Sequence, residues 1–360
     1  MKIERIKTRL VSKPMGMKLL SSIVTIEKME FVLVEMEAGG LTGIGATASF
    51  SRKQTEAMRK LIEEYSDLLI GKPVEMIRGY WNDMQVLING VGGHTGLPLM
   101  AWAPLDIAMW DIMGKSAGLP LYKLLGAHRN KIPIYISGGF LVPVEQVIDN
   151  ILGYKEQGYK AFKMRVGKPD YREDIKRVEA VKKAVGDDFE IMVDANQKWD
   201  VKKTRIIAPL LQDLGVTYLE EPLQTQDFAG YAEVRGATDI RIVAGESLFA
   251  LPEHFQMMSR GGVDVLNPDL LRCGGITEYM QVCALANAFR VPVDSHTCTE
   301  INLHLMAAAP TGRMAEYLPQ WWDGIFAEKM QIEGGVATVS EAPGLGLSFD
   351  PETIGRYTVD

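Results

Sequence analysis

The 360-residue sequence has few of the features that mark secreted, membrane-spanning or nucleic-acid-binding proteins. It has three cysteines, Cys273, Cys283 and Cys298, with no CxxC spacing and no N-terminal signal segment, so a reducing cytoplasm is the expected setting. No apolar run reaches the roughly 18 residues that a bilayer crossing needs. The net charge of −7 comes without a basic stripe, which argues against nucleic acid or an anionic membrane surface as a partner.

What the sequence does contain is three carboxylates at equal spacing. Asp194, Glu220 and Glu246 each follow an apolar run, and neighbours are 26 residues apart both times. That interval holds one strand, one amphipathic helix and two loops, which is the period of a (β/α) barrel. Because the strand ends of a barrel meet at one rim, the three carboxylates are predicted to share a divalent cation, Mg²⁺ before Mn²⁺. The alternative is three unrelated acids that cap helices or pair with surface lysines.

The rest of the chain extends this pattern to a complete barrel. Eight strand patterns lie near 132–137, 160–166, 189–194, 216–220, 241–245, 263–266, 291–294 and 314–318. Three strand and three helix patterns precede them, including one long helix pattern at 98–124. We therefore predict an α/β protein with a (β/α)7-8 TIM-type barrel at 126–325, an N-terminal α+β domain at 1–125, and a segment at 326–360 that returns to the N-terminal domain.

A second group of polar residues is predicted beside the carboxylates. Lys163 and Arg165 are two apart on a strand, so both side chains project to the same side, and the same rule brings Asn196 alongside Asp194. Lys163, Arg165 and Asn196 are candidate substrate ligands. The strand of Lys163 and Arg165 precedes the one that carries Asp194, which places both cations at the barrel mouth. The alternative is that they only offset the acids in an ion-pair cluster.

Two further strand ends suggest a proton-transfer pair. Asp269 and His296 follow neighbouring strands, and a carboxylate that accepts from one imidazole nitrogen makes the other a directed general base. The alternative for His296 is a satisfied polar residue near the rim. Glu316, on the last strand, is predicted to donate a hydrogen bond if burial keeps it protonated, the alternative being a salt-bridge partner.

These residues resemble the mandelate racemase subgroup of the enolase superfamily over essentially the whole chain. The matching motifs follow in the family's order: KMR at 163–165, DAN at 194–196, EEP at 220–222, GES at 245–247, DLLRCGGITE at 269–278, SHTCTE at 295–300 and PGLGL at 343–347. The stretch at 104–127 is also similar to that family's entry into the barrel. Seven ordered motifs are far more specific than any one of them.

The resemblance implies a set of roles. Asp194, Glu220 and Glu246 would bind Mg²⁺, and Lys163 would contact a substrate carboxylate. The His296–Asp269 pair would work from one face of the substrate α-carbon. Glu316 would donate to a carboxylate oxygen, and the N-terminal domain would cap the barrel. The implied chemistry starts with removal of the proton α to a carboxylate to give an enediolate.

One position departs from the family pattern. Lys-x-Lys is usual there, its second lysine acting as the base on the opposite face, whereas this chain has Arg165. A guanidinium keeps its proton, so we expect one working base and a Mg²⁺-dependent lyase that removes water from a sugar acid or related 2-hydroxycarboxylate. Arg165 would orient or neutralise a substrate oxygen. A racemase, epimerase or cycloisomerase is the alternative within the family, and a metal-stabilised binding protein is the non-enzymatic one.

Substrate choice is predicted to depend on the segment 12–25 and the loop near 48–53. Ser22 and Arg52 are candidates there to hold hydroxyls or a second carboxylate, whereas the methionines and leucines of the segment suggest an apolar surface. Trp321 and Trp322 either exclude water from the site or pack between subunits. The expected partners are a small-molecule carboxylate substrate and further copies of the chain, in a homo-oligomer from dimer to octamer.

Overall fold

The computed structural model describes residues 1–20, 25–91 and 95–359, without the side chains of residues 17–20 and 91. The predicted substrate ligand Ser22 therefore lies outside the described residues. Among the described helices, none combines the length and the hydropathy that a bilayer crossing requires.

An antiparallel three-stranded sheet begins the N-terminal domain. Its strands are β1 (Ile3–Leu20), β2 (Thr25–Ala38) and β3 (Leu41–Ser49). Gly39 and Gly40 make the turn between β2 and β3 with φ values of +57° and +77°, which glycine adopts without a steric penalty. The helices are α1 (Arg52–Leu69), α2 (Ile77–Val91), α3 (Leu97–Ala117) and α4 (Leu121–Leu124), with a 3₁₀ turn at Val74–Met76.

The single helix predicted over 98–124 is wrong, because the structure divides it into α3 and α4. Gly118 ends α3 in the left-handed conformation, with φ +66°, and its N–H donates to the carbonyl oxygens of Gly114 and Lys115. Pro120 then occupies the position before α4. A left-handed glycine followed closely by proline is a common way to stop a helix, so the break is local in origin.

Eight parallel strands form the predicted barrel, and β11 pairs with β4 to close it. The strands are β4 (Lys131–Gly138), β5 (Ala161–Arg165), β6 (Glu190–Asp194), β7 (Tyr218–Glu220), β8 (Arg241–Ala244), β9 (Val265–Leu266), β10 (Val293–Ser295) and β11 (Gly312–Tyr317). The intervening helices are α5 (Val144–Glu156), α6 (Tyr171–Val185), α7 (Val201–Asp213), α8 (Phe228–Arg235), α9 (Ala250–Ser259), α10 (Ile276–Phe289) and α11 (Thr299–Ala308).

The barrel interior is packed, so chemistry is confined to its rim. Side chains from six strands fill it: Tyr135, Ala161, Met192, Tyr218, Val243 and Val265. Three consecutive helices, α6 to α8, start at aspartates that accept a backbone N–H, namely Asp170, Asp200 and Asp227. These caps define where the loops at the C-terminal ends of β5, β6 and β7 stop, and those loops form the rim.

The C-terminal segment contacts both domains. Its hairpin, β12 (Gln331–Glu333) and β13 (Val336–Thr338), extends the barrel sheet because β13 pairs antiparallel with β4. The segment also contacts the N-terminal domain at two places. Gly344 N donates to Leu119 O at 2.9 Å and Leu345 N to Asp111 Oδ1 at 2.8 Å, and beyond α12 (Pro351–Tyr357) Val359 N donates to Leu10 O at 3.1 Å.

Candidate active site

Three carboxylates converge at the rim, as predicted. Asp194 and Glu220 end β6 and β7 and are register partners, and Glu246 lies two residues beyond β8. One oxygen from each lies within 4.8 Å of the others, and all three side chains are buried. Asp194 and Glu220 converge because they occupy equal positions on adjacent parallel strands, and the turn after β8 brings Glu246 to them.

Gly245 allows Glu246 to reach this position. Its φ is +150°, and a Cβ there would lie 2.9 Å from the backbone nitrogen of Asn267. The Asn267 side chain itself donates from Nδ2 to Glu220 Oε1 at 2.9 Å. Sequence reasoning missed Asn267, although it directly follows β9 at the rim.

Two cations neutralise this group from within the barrel. Lys163 Nζ contacts Glu220 Oε2 at 2.6 Å and Glu316 Oε1 at 2.8 Å, and Arg165 Nη1 lies 2.9 Å from Asp194 Oδ2. Burial alone would lower the pKa of Lys163, but Glu220 and Glu316 outweigh it and raise that pKa. Asp194 has the largest share in raising the pKa of Arg165 against its own burial. Both side chains therefore stay charged, as the ion-pair alternative requires.

Glu316 is an acceptor in this structure. It contacts Lys163 Nζ and accepts a hydrogen bond from Thr297 N at 3.0 Å. Burial would raise its pKa, yet Lys163 and His296 outweigh burial and the pKa falls below its ordinary value. The contact with Lys163 fits the salt-bridge alternative, and a hydrogen bond from Glu316 to a substrate carboxylate stays a prediction.

Asp269 and His296 form the predicted pair. Asp269 Oδ2 lies 2.6 Å from His296 Nδ1, while Oδ1 accepts from the backbone N–H groups of Leu271 and Arg272, both at 2.8 Å. With Nδ1 held by a fixed carboxylate, Nε2 points to the rim, 3.1 Å from Glu246 Oε2. Burial lowers the pKa of His296, but Glu246 and Asp269 outweigh it and the pKa is raised.

Asn196 adjoins Asp194, as predicted, and orients it. Its backbone N–H donates to Oδ1 at 2.7 Å and its Nδ2 to Oδ2 at 2.9 Å. Asn196 has a φ of +44°, and Glu221 and Thr297, at other strand ends, have φ values of +37° and +46°. Left-handed backbone at non-glycine residues is uncommon and concentrates at functional sites, which marks this rim.

Arg272 is a further site residue that sequence reasoning missed. Its Nη1 donates to Glu246 O at 2.6 Å and to Ser247 Oγ at 3.2 Å. It follows Asp269 by three residues within the DLLRCGG motif, so its place in that motif was the available signal. It braces the segment that carries Glu246.

A cavity of about 260 Å³ opens above these groups, between the two domains. Its polar floor consists of barrel residues: Arg165, Asn196, Glu246, Asp269, Arg272, His296 and Thr297. Its apolar wall consists of Ile26, Met29, Phe50, Met100, Phe140, Trp321 and Trp322. Ala48, Ser49, Gln54 and Leu271 complete the described lining. Lys163 does not line it.

The tryptophans belong to the site, because both line the cavity. Trp321 meets Phe50 edge to face, with ring centroids 5.4 Å apart. Arg52, a candidate substrate ligand, is instead directed elsewhere: it donates to Val359 O at 2.8 Å and to Glu56 at 2.8 Å. Its candidacy as a ligand in this cavity is not supported.

The donor set fits a hard divalent cation. Six buried carboxyl groups surround the rim: Asp194, Glu220, Glu221, Glu246, Asp269 and Glu316. The neighbouring groups of fixed positive charge are Lys163, Arg165 and Arg272. Carboxylates in such excess repel one another unless a cation offsets them, and an all-oxygen triad favours Mg²⁺ over zinc. Asp194, Glu220 and Glu246 are the residues that would hold it.

Models of known families match nearly the whole chain. The mandelate racemase/muconate lactonizing enzyme N-terminal domain matches residues 5–126, and the enolase C-terminal domain-like model matches residues 146–353. The chain belongs to the mandelate racemase/muconate lactonizing enzyme family. The resemblance inferred from the motifs, and with it the barrel fold, is confirmed.

Curated members of this family that are similar to the chain include a dehydratase and a cycloisomerase. The L-talarate/galactarate dehydratase of Salmonella typhimurium is 34% identical over 92% of this chain and 83% of its own. The 3,6-anhydro-α-L-galactonate cycloisomerase of Streptomyces coelicolor is 31% identical over 99% of each chain. A crystal structure of the first, liganded with Mg and L-lyxarohydroxamate, superposes with a TM-score of 0.95 at 32% identity and covers 100% of this chain and 93% of that one.

Proposed function

We propose that this family member is a Mg²⁺-dependent acid-sugar dehydratase. It removes the proton α to a carboxylate to give an enediolate and then expels the β-hydroxyl as water. The observation that carries the proposal is the proton-transfer pair at the polar floor, His296 with Asp269. The position where the family usually has a second basic lysine holds Arg165, which is ion-paired with Asp194. The similarity to a dehydratase over 92% of the chain supports it.

The proton path follows from the hydrogen bonds of His296. Asp269 accepts from Nδ1–H, which leaves the Nε2 lone pair to take the C2 proton of the substrate. The resulting imidazolium then gives this proton to the C3 hydroxyl as its C–O bond breaks, and one water leaves. The enol that remains loses the proton of its C2 hydroxyl and gains one at C3, which gives a 2-keto-3-deoxy acid with no further change in composition. One residue thus acts first as base and then as acid.

The other floor residues manage charge. Mg²⁺ held by Asp194, Glu220 and Glu246 would supply positive charge beside an ionised carboxylate, which stabilises charge that develops there. Arg165 keeps its proton and orients a substrate oxygen. Lys163 keeps Glu220 and Glu316 in place, and its contact with a substrate carboxylate remains a prediction.

Cycloisomerisation is the second candidate. The relative with that activity matches 99% of both chains, and the same abstraction by His296 would serve when a ring C–O bond, rather than a hydroxyl, leaves. Racemisation is less supported because it needs a base on each face, and Arg165 is held as a cation against Asp194.

The test is incubation of the Mg²⁺-loaded protein with a panel of acid sugars in D₂O. We expect a 2-keto-3-deoxy acid from at least one of them. We also expect the substrate recovered from the reaction to carry α-deuterium in only one configuration at C2. Ring opening or closure without loss of water would support the cycloisomerase, and α-deuterium in both configurations would support a racemase. Absence of both exchange and product across the panel would overturn the proposal.

Three further expectations from the sequence concern the oligomeric state, the location and the domain limits. We expect a homo-oligomer between dimer and octamer, a cytoplasmic location, and domain limits at 1–125, 126–325 and 326–360. Each stays a prediction.

A further inference from the structure

We propose that the substrate is a monocarboxylic sugar acid whose uncharged far end packs against the apolar wall, rather than a dicarboxylic one. This inference rests on the proposed function, since it places the reacting carboxylate at the polar floor. It separates the chain from its L-talarate/galactarate relative, because talarate and galactarate are both dicarboxylates.

The cavity has two chemically different sides. Every charged residue of its described lining belongs to the barrel and lies in the polar floor. The N-terminal domain faces that floor with uncharged described residues, mostly apolar: Ile26, Met29, Ala48, Ser49, Phe50, Gln54 and Met100. The part of a substrate farthest from the reacting carboxylate therefore meets a mainly apolar surface among the described residues.

A second carboxylate at this wall would be strongly disfavoured. Moving an ionised carboxylate from water to an apolar surface is strongly unfavourable unless a cation or several hydrogen bonds compensate it. The two arginines of the described lining are already engaged: Arg165 with Asp194 at 2.9 Å, and Arg272 with Glu246 O at 2.6 Å. In the proposed function Arg165 contacts an oxygen at the reacting end of the substrate, and moving Arg272 would leave the Glu246 carbonyl without this donor.

The wall nevertheless contains a neutral donor that lacks a partner. Trp321 lines the cavity and is 8% exposed, and its indole N–H, which is itself buried, has no hydrogen-bond partner among the described residues. An indole N–H is a neutral donor, and indole rings pack well against the C–H faces of sugars. Ser49 and Gln54 add neutral groups, with Ser49 Oγ donating to Gln54 Oε1 at 2.6 Å.

Trp321 is held in position before any ligand arrives. The preceding residue, Gln320, has a φ of +77°, and its N–H donates to Asp323 Oδ2 at 2.8 Å. Lys13, on β1, donates to the Gln320 carbonyl at 2.6 Å, which ties the N-terminal domain to this loop. A donor fixed in advance loses little entropy when it binds a hydroxyl.

The direct test uses acid pairs that differ only at the terminal carbon, such as galactonate with galactarate and gluconate with glucarate. For the best pair we expect kcat/KM, and the affinity measured by calorimetry on the Mg²⁺-loaded protein, to favour the monoacid by at least about tenfold. Equal or better binding of the diacid would overturn this inference while leaving dehydration intact. Monoacid preference in binding without product from any acid would overturn the proposed function instead.

Two variants locate the preference in the wall. Trp321→Phe keeps a ring but removes the donor, so KM for the monoacid should rise about threefold to tenfold with kcat little changed. Trp102→Phe is the matched control, because its buried indole N–H also lacks a described partner but lies outside the cavity, in the N-terminal core. An unchanged KM in Trp321→Phe would contradict the hydrogen bond.

Met100→Lys places a cation at the wall, and Met100 is half-buried, so the lysine can be accommodated. We expect the diacid-to-monoacid ratio of kcat/KM to rise at least about tenfold. A folded variant with an unchanged ratio would show that the wall does not meet the far end of the substrate.

Discussion

The polar floor and the apolar wall of the cavity are built on opposite principles. At and beneath the floor, charged groups are buried in close contact, as Arg165 is with Asp194 and Lys163 is with Glu220 and Glu316. Lys163 and Arg165 stay ionised because the neighbouring carboxylates outweigh burial. At the wall, Phe50 and Trp321 meet edge to face, and the side chains that the structure describes there carry no charge. In the proposed function the floor performs proton transfer and the wall selects the substrate. Four predictions probe this division.

The largest expected effect comes from removing the base. His296→Asn should reduce α-proton exchange at least about 100-fold, because Asn cannot accept the proton. Exchange in D₂O followed by NMR measures it, and calorimetry should show Mg²⁺ affinity near that of the unchanged protein. Persistence of α-proton exchange in this variant would exclude His296 as the general base.

A buried histidine away from the floor shows what burial costs without a compensating charge. His304 Nδ1 accepts from Tyr122 N at 3.2 Å and Nε2 donates to Leu345 O at 3.0 Å, and burial lowers its pKa to about 4. The pKa of His304 is therefore lower in the folded protein than in the unfolded chain. The neutral ring contributes its full stabilisation above about pH 6.5, and this contribution is lost as the pH falls towards 4.

Between pH 7 and pH 5, His304 should thus remove about 2 kcal/mol from the free energy of unfolding. Denaturant unfolding of His304→Gln should show that much less loss over the same interval. His128→Gln, at an exposed histidine, is the control. Equal pH dependence in His304→Gln and the unchanged protein would contradict the neutral, hydrogen-bonded assignment.

Loss of one metal-site charge should have an intermediate effect. Glu220→Gln should weaken Mg²⁺ binding at least about tenfold, because the triad loses a full negative charge. Calorimetry measures it, with Glu233→Gln, an exposed carboxylate on α8, as the control. Unchanged affinity would remove Glu220 from the ligand set.

The smallest effect should come from the wall. Phe50→Ala removes the ring that meets Trp321, so KM should rise about threefold to tenfold while kcat stays within about twofold. Phe50 is 41% exposed, so the melting temperature should change little. Phe255→Ala is matched in exposure and ring contact but lies outside the cavity. A fall in kcat alone would mean that the wall takes part in chemistry.

Much of the site was predictable because barrel geometry converts sequence spacing into spatial proximity. The 26-residue interval led to Asp194, Glu220 and Glu246, and the two-residue strand period led to Arg165 and Asn196. Asn267 and Arg272 were missed because only their contacts place them in the site. Asn267 donates to the Glu220 carboxylate, and Arg272 donates to the Glu246 backbone oxygen. A single neutral or cationic residue in a loop carries no periodic signal.

The sequence by itself determined the order of strands, the equal spacing of the carboxylates and the family to which the chain belongs, because these depend on local pattern and on a repeated βα unit. Only the tertiary structure decided that Glu316 is an ion-pair partner and that Trp321 faces the cavity. Charge state and exposure depend on neighbours that come from distant parts of the chain, and those neighbours are defined only once the barrel has closed and the N-terminal domain has packed against it.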